Sequence, residues 1–115
     1  MRIGIAQLNP TVGDLSGNLA LAIDAYEQLV GQGVDLIIYP ELFLCGYPPR
    51  DLLLKENCIH DLGNTLKEFA CSTGPVPAII GFVQKSTLTK KKSFFNAAAW
   101  CIGGNIEQVF HNRLW

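Results

Sequence analysis

From Val34 to Tyr39 the chain reads Val-Asp-Leu-Ile-Ile-Tyr, a nearly unbroken apolar run that Pro40 ends. Runs of this kind belong to strands covered on both faces. A shorter alternating segment, Arg2 to Leu8, precedes it and is broken by Asn9-Pro10. Between the two lies an amphipathic stretch. Asp14 and Ser16 are both N-cap residue types. Leu19, Ile23, Tyr26 and Val30 then recur at helical spacing, and Gly31 and Gly33 supply a left-handed stop. Strand, helix and strand before Pro40 predict a βαβ unit with parallel strands and a right-handed crossover.

The remainder extends that unit. Asp51 to Ala70 predicts a second helix, with a break near Asn57 and an apolar side of Leu62, Leu66 and Phe69. Gly74, Pro75 and Pro77 stop it, and Phe43 to Asp51 is a loop rich in turn formers. Val76 to Gln84 and Phe94 to Ile102 read as strands. Gly103-Gly104-Asn105 is a tight turn into a last strand, Ile106 to His111. The predicted order is β-α-β-α-β-β-β, an α/β fold that starts parallel and ends in a hairpin. At 115 residues this is one domain. Two helices can cover one sheet face, so the layer is expected to be incomplete and to associate through its other face.

Composition narrows the function. Nine basic and ten acidic residues leave a net charge of −1, which argues against a dedicated nucleic-acid or anionic-membrane binder. No apolar stretch approaches the roughly 20 residues that span a bilayer. Cys45, Cys58, Cys71 and Cys101 contain no CxxC pair, and His60 and His111 stand far apart, so no metal site is expected. Met1 leads straight into a strand without a signal peptide; ordinary cytosolic thiols and a cytoplasmic location are expected. Lys90-Lys91-Lys92 reads as a solvated loop. Gly13 and Gly17 belong to no phosphate-binding motif, so no nucleotide cofactor is expected.

Glu41 is the carboxylate of interest. It stands at the carboxyl end of the Val34–Tyr39 strand, where open α/β sheets collect ligands and catalytic groups. Poor solvation there raises a carboxylate's pKa and suits a general base. A loop-anchoring carboxylate that binds backbone N–H groups is the alternative from position alone.

The segment Tyr39-Pro40-Glu41-Leu42-Phe43-Leu44-Cys45-Gly46-Tyr47-Pro48-Pro49-Arg50-Asp51-Leu52-Leu53 resembles the first catalytic segment of the nitrilase, or carbon–nitrogen hydrolase, superfamily. Three more stretches agree with that family in order and spacing: Ile5 to Asp14, Gly17-Asn18-Leu19, and Phe95-Asn96-Ala97-Ala98. The Gly-Tyr-Pro-Pro-x-Asp-Leu-Leu continuation is similar to the glutaminase domain of glutamine-dependent NAD synthetases. The resemblance implies an αββα sandwich, of which residues 1–115 would be an incomplete, truncated N-terminal portion. It also implies a Glu-Lys-Cys triad that hydrolyses glutamine or a related amide and releases ammonia, without a cofactor. Glu41 takes the general-base position. Asn112 occupies the position of the family's Lys, and none of the four cysteines occupies that of the nucleophile. The resemblance therefore implies either an enzyme-family chain inactive alone or a non-catalytic module pairing with itself or with a complementary nitrilase-like chain.

Overall fold

The computed structural model describes residues 1–11, 14–40, 43–44, 56–85 and 94–111. The elements in chain order are β1 (Ile3–Ile5), α1 (Leu15–Gly31), β2 (Leu36–Ile38), α2 (Glu56–Cys71), β3 (Ala78–Lys85), β4 (Phe94–Ile102) and β5 (Asn105–His111). They form the expected α/β order. The five strands make one sheet in the order β1-β2-β3-β4-β5. β1, β2 and β3 are parallel neighbours, and β4 and β5 return antiparallel. Because the three parallel strands advance in one direction, crossovers of one hand place both helices on the same face.

Asp14 caps α1, and its carboxylate accepts from Gly17 N at 3.0 Å. The chain leaves α1 through Gly33 at φ 81°. The buried helix positions are Asn18, Ala22, Ala25 and Tyr26, while Leu19, Ile23 and Val30 flank the core partly buried. The buried line is thus turned slightly from the large-residue stripe. Alanines let the helix axis approach the sheet, and the larger side chains wedge in beside them. Gly4 of β1 serves the same close approach, since a Cβ there would meet the Leu29 side chain at 3.1 Å.

Beneath the helices the sheet presents Ile37, Tyr39, Ala78, Ile80, Phe82, Ala97, Ala99 and Cys101, all buried. Leu62, Leu66, Phe69 and Ala70 of α2 complete the core. The Phe69 ring stands edge-on to Tyr39 at 5.2 Å and to Tyr26 at 6.5 Å. Within these residues the second strand is covered on its helix side, in line with the expected incomplete layer. Ile37 is fully buried, but Leu36 and Ile38 point the other way and are only half-buried. Ile3 and Ile5 on the same side are 53% and 61% exposed.

The β4–β5 hairpin closes on a two-residue loop, Gly103-Gly104, with φ of 61° and 85°. Positive φ at both central residues matches the strand twist and favours glycine. The turn is also tied to the end of α2: Gly103 N donates to Gly74 O at 2.8 Å and Gly104 N to Thr73 Oγ1 at 3.2 Å. Gly104→Ala should therefore destabilise the chain by about 1–2 kcal/mol through its left-handed backbone. A chemical-denaturation midpoint equal to that of the parent would show that the turn tolerates a side chain.

Candidate active-site edge

β1 and β2 both deliver their carboxyl ends beside the amino end of α1. This is the edge at which parallel sheets present chemistry. Asn18, in the first turn of α1, is fully buried there. Its Oδ1 accepts from Thr11 N at 2.8 Å, and its Nδ2 donates to Thr11 O at 2.8 Å and to Leu44 O at 3.0 Å. The side chain thus acts as a one-residue strand partner for Thr11 and joins the loop after β1 to the loop after β2. Only an amide offers both the acceptor and the two donors used.

The loop after β2 is held from its other side by packing. Phe43 and Leu44 are fully buried, and the Phe43 ring meets Tyr39 edge-on at 5.5 Å. Tyr39 itself is pinned: its Oη donates to Ala22 O at 2.6 Å. Burial pushes its phenol well above the ordinary range, with smaller contributions from Tyr26 and Cys101. Tyr26 Oη accepts from Gly74 N at 2.7 Å and donates to Val76 O at 2.8 Å, which fixes the entry to β3.

Glu41 lies between Pro40, which is exposed, and Phe43, and is outside the described residues, as are Cys45, Asn112 and Lys90-Lys91-Lys92. The structure fixes the described residues flanking Glu41 without describing its carboxylate. Cys101 is a buried free thiol in β4, pushed up to about 11 by burial, whereas Cys71 is free and exposed at the end of α2. A reluctant thiolate inside the core suits packing and not nucleophilic attack. His60 is exposed on α2. Among the described residues no three His, Cys, Asp or Glu side chains gather as metal ligands. None of the described helices is long and apolar enough to cross a membrane. An open groove between α1 and α2 is lined by Asp14, Leu19, Asp61, Asn64 and Glu68 among others. Its three carboxylates oppose a ligand that bears a carboxylate of its own.

Asn18 belongs to one of the family-like stretches, but its role as a bridge between the two loops was not read from the sequence. It lies in line with Ala22 and Tyr26 at spacings of one helical turn, and a polar residue on a buried line needs partners. That line carries too little hydrophobicity to have drawn attention to it.

This chain belongs to the carbon-nitrogen hydrolase family, whose model matches residues 2–108. Its relatives include the glutamine-dependent NAD(+) synthetase of Thermotoga maritima, 39% identical over 112 residues, a match that takes in 96% of this chain and 19% of that protein. The solved glutamine-dependent NAD+ synthetase of Acinetobacter baumannii superposes with a TM-score of 0.79 at 30% identity, over 97% of this chain and 20% of that one. An amidase from Nesterenkonia sp. shares the fold, with a TM-score of 0.75 at 21% identity, over 100% of this chain and 44% of its own. The chain thus spans about one fifth of the length of the synthetases that it matches. The motifs and the fold agree on the family.

Two outcomes follow from this edge. Asn18→Asp should destabilise the protein by about 3–5 kcal/mol at neutral pH, because two buried carbonyls lose their donor and face a carboxylate. A buried carboxyl that keeps only the Thr11 N donor and faces two carbonyls would have a folded pKa above its unfolded one. The cost linked to ionisation is then full above the folded pKa, shrinks as pH falls toward the unfolded value and is gone below it. Denaturant titrations at two pH values check this, and a constant difference would refute it. Cys101 has the opposite reach in pH. Its folded pKa exceeds the unfolded one, so stability should fall as pH rises from about 8.5 toward 11. Cys101→Val should flatten that decline, and native-state alkylation at pH 8 should modify Cys71 but not Cys101.

Proposed function

We propose that this chain forms the N-terminal portion of a carbon–nitrogen hydrolase domain of the kind that releases ammonia from glutamine for NAD synthesis. The observation that supports it most is the match to glutamine-dependent NAD(+) synthetases across nearly the whole chain. The doubly anchored loop after β2 is consistent with it, since a base must be held at hydrogen-bond reach of its nucleophile. In this reading Glu41 receives the proton of a cysteine thiol, and the thiolate attacks the glutamine amide carbon. The resulting thioester is hydrolysed by water after ammonia leaves. Asn112 stands where the family has its Lys. A neutral amide donates a hydrogen bond to an oxyanion but supplies no positive charge beside it. Residues 1–115 contain no cysteine at the nucleophile position and do not hydrolyse amides by themselves. The reaction calls on no metal or cofactor in this portion.

The bare sheet face favours a second reading, in which the chain is a non-catalytic module that pairs with another nitrilase-like chain.

Two assays test the catalytic reading. The 115-residue chain should release no ammonia from glutamine above a Glu41→Ala control, and release above that control would overturn the inactivity. Exchanged for the matching segment of the T. maritima synthetase, the chain should support glutamine hydrolysis only with Asn112→Lys. Glu41→Gln in that chimera should then lower the rate by about 10²–10⁴-fold. Ammonia-dependent synthesis serves as the folding control. Hydrolysis indifferent to Glu41 would refute its role.

A further inference from the structure

Two successive turns of α1 hold the described residues on both sides of Glu41. On the amino side, Tyr39 Oη donates to Ala22 O at 2.6 Å. On the carboxyl side, Asn18 Nδ2 donates to Leu44 O at 3.0 Å. Asn18 and Ala22 stand one helical turn apart, and both are fully buried. The Phe43 ring, edge-on to Tyr39 at 5.5 Å, ties the two sides to each other. Asn18 is itself held by the loop after β1. Thr11 N donates to its Oδ1, and Thr11 O accepts from its Nδ2 and from Asp14 N at 3.2 Å.

We propose that Asn18 is a positioning residue for the Glu41 base and acts on it through Leu44. The inference deepens the catalytic reading and rests on it. Three observations carry it. The first is chain length. Only Glu41 and Leu42 separate Pro40 from Phe43. So short a link takes its placement from its ends, because each residue contributes just two soft dihedrals. The second is direction. Burial of Phe43 and Leu44 sets their depth, but hydrophobic packing is non-directional. The Asn18 hydrogen bond aims the Leu44 carbonyl, and with it the whole peptide plane. The third is stiffness. The amide nitrogen donates to carbonyls of two different loops while the oxygen accepts from one of them, so the side chain cannot turn to follow Leu44 without releasing Thr11. A base held in this way keeps its distance from the reacting proton, and a misplacement of about 1 Å is enough to cost about 10²-fold in rate.

The Asn112→Lys chimera with the T. maritima synthetase tests the proposal. Asn18→Thr nearly keeps the volume and retains one hydroxyl, which cannot serve both loops. It should lower kcat for glutamine hydrolysis about 10- to 100-fold and leave KM unchanged. Ammonia-dependent synthesis should stay at the parent rate. Combined with Glu41→Gln, the same substitution should add less than about a 2-fold further fall, because the group that it positions is already gone. Tyr26→Phe, which removes two hydrogen bonds elsewhere in the same core, should leave hydrolysis unchanged. If Asn18→Thr lacks the parent's melting transition, Asn18→Ser decides. Glu41-dependent hydrolysis indifferent to Asn18 would overturn the proposal. So would a change confined to KM, an equal fall in the Glu41→Gln background, a matching fall in ammonia-dependent synthesis, or an equal fall with Tyr26→Phe. Each of these leaves the role of Glu41 standing. Hydrolysis indifferent to Glu41 itself would remove the catalytic reading, and the role of Asn18 with it.

Discussion

Both helices return over the face of the sheet that carries Ile37, Tyr39, Ala78 and Ile80, and burial in this chain is therefore one-sided. The cause lies in the order of the strands. β1, β2 and β3 advance in one direction, so crossovers of one hand keep to one side. The covered face is made of two kinds of residue. Alanines at positions 22, 25, 78, 97 and 99 keep helix and sheet close. Tyr26, Tyr39, Phe43 and Phe69 fill the space between with edge-on rings, an arrangement that aromatic quadrupoles favour. The tyrosines stay inside because each hydroxyl has a carbonyl to donate to.

The polar side of the same economy is Asn18. A buried amide is costly unless every hydrogen bond is made, and this one makes three. A satisfied polar group is more selective than an apolar one, because it accepts only one arrangement of Thr11 and Leu44. The loops at the carboxyl edge thereby acquire a defined separation that hydrophobic packing alone would leave looser.

Much of this was legible from residues. The Phe94–Ile102 strand has the expected ends, Asp14 is the cap, and the glycine pair forms the hairpin turn. These signals are local: a capping carboxylate or a pair of positive φ angles depends on neighbours in the chain. The reading was less complete where the cause was tertiary. Leu36-Ile37-Ile38 is equally apolar whether one face is covered or two, and nothing in the run says what lies opposite. The inner line of α1 was misjudged because alanine contributes little to a hydropathy pattern, though its smallness decides where the helix can approach. Asn18 showed no periodic signal of its own. The family was legible because several motifs occur in order.

The two halves of the argument meet at the loop after β2. Its described anchors all lie on the helix side: the Asn18 amide on Leu44 O, and the burial of Phe43 and Leu44 against Tyr39 and the core. None of them uses the face of the sheet that carries Ile3, Ile5, Leu36 and Ile38. The residues flanking Glu41 are therefore positioned by contacts that a cover on the open face neither makes nor breaks. Placement of Phe43 and Leu44 is governed by α1 and the core on the helix side. In such an arrangement a substitution at Ile5 and a substitution at Asn18 act on separate parts of the free energy, and their effects on stability should add.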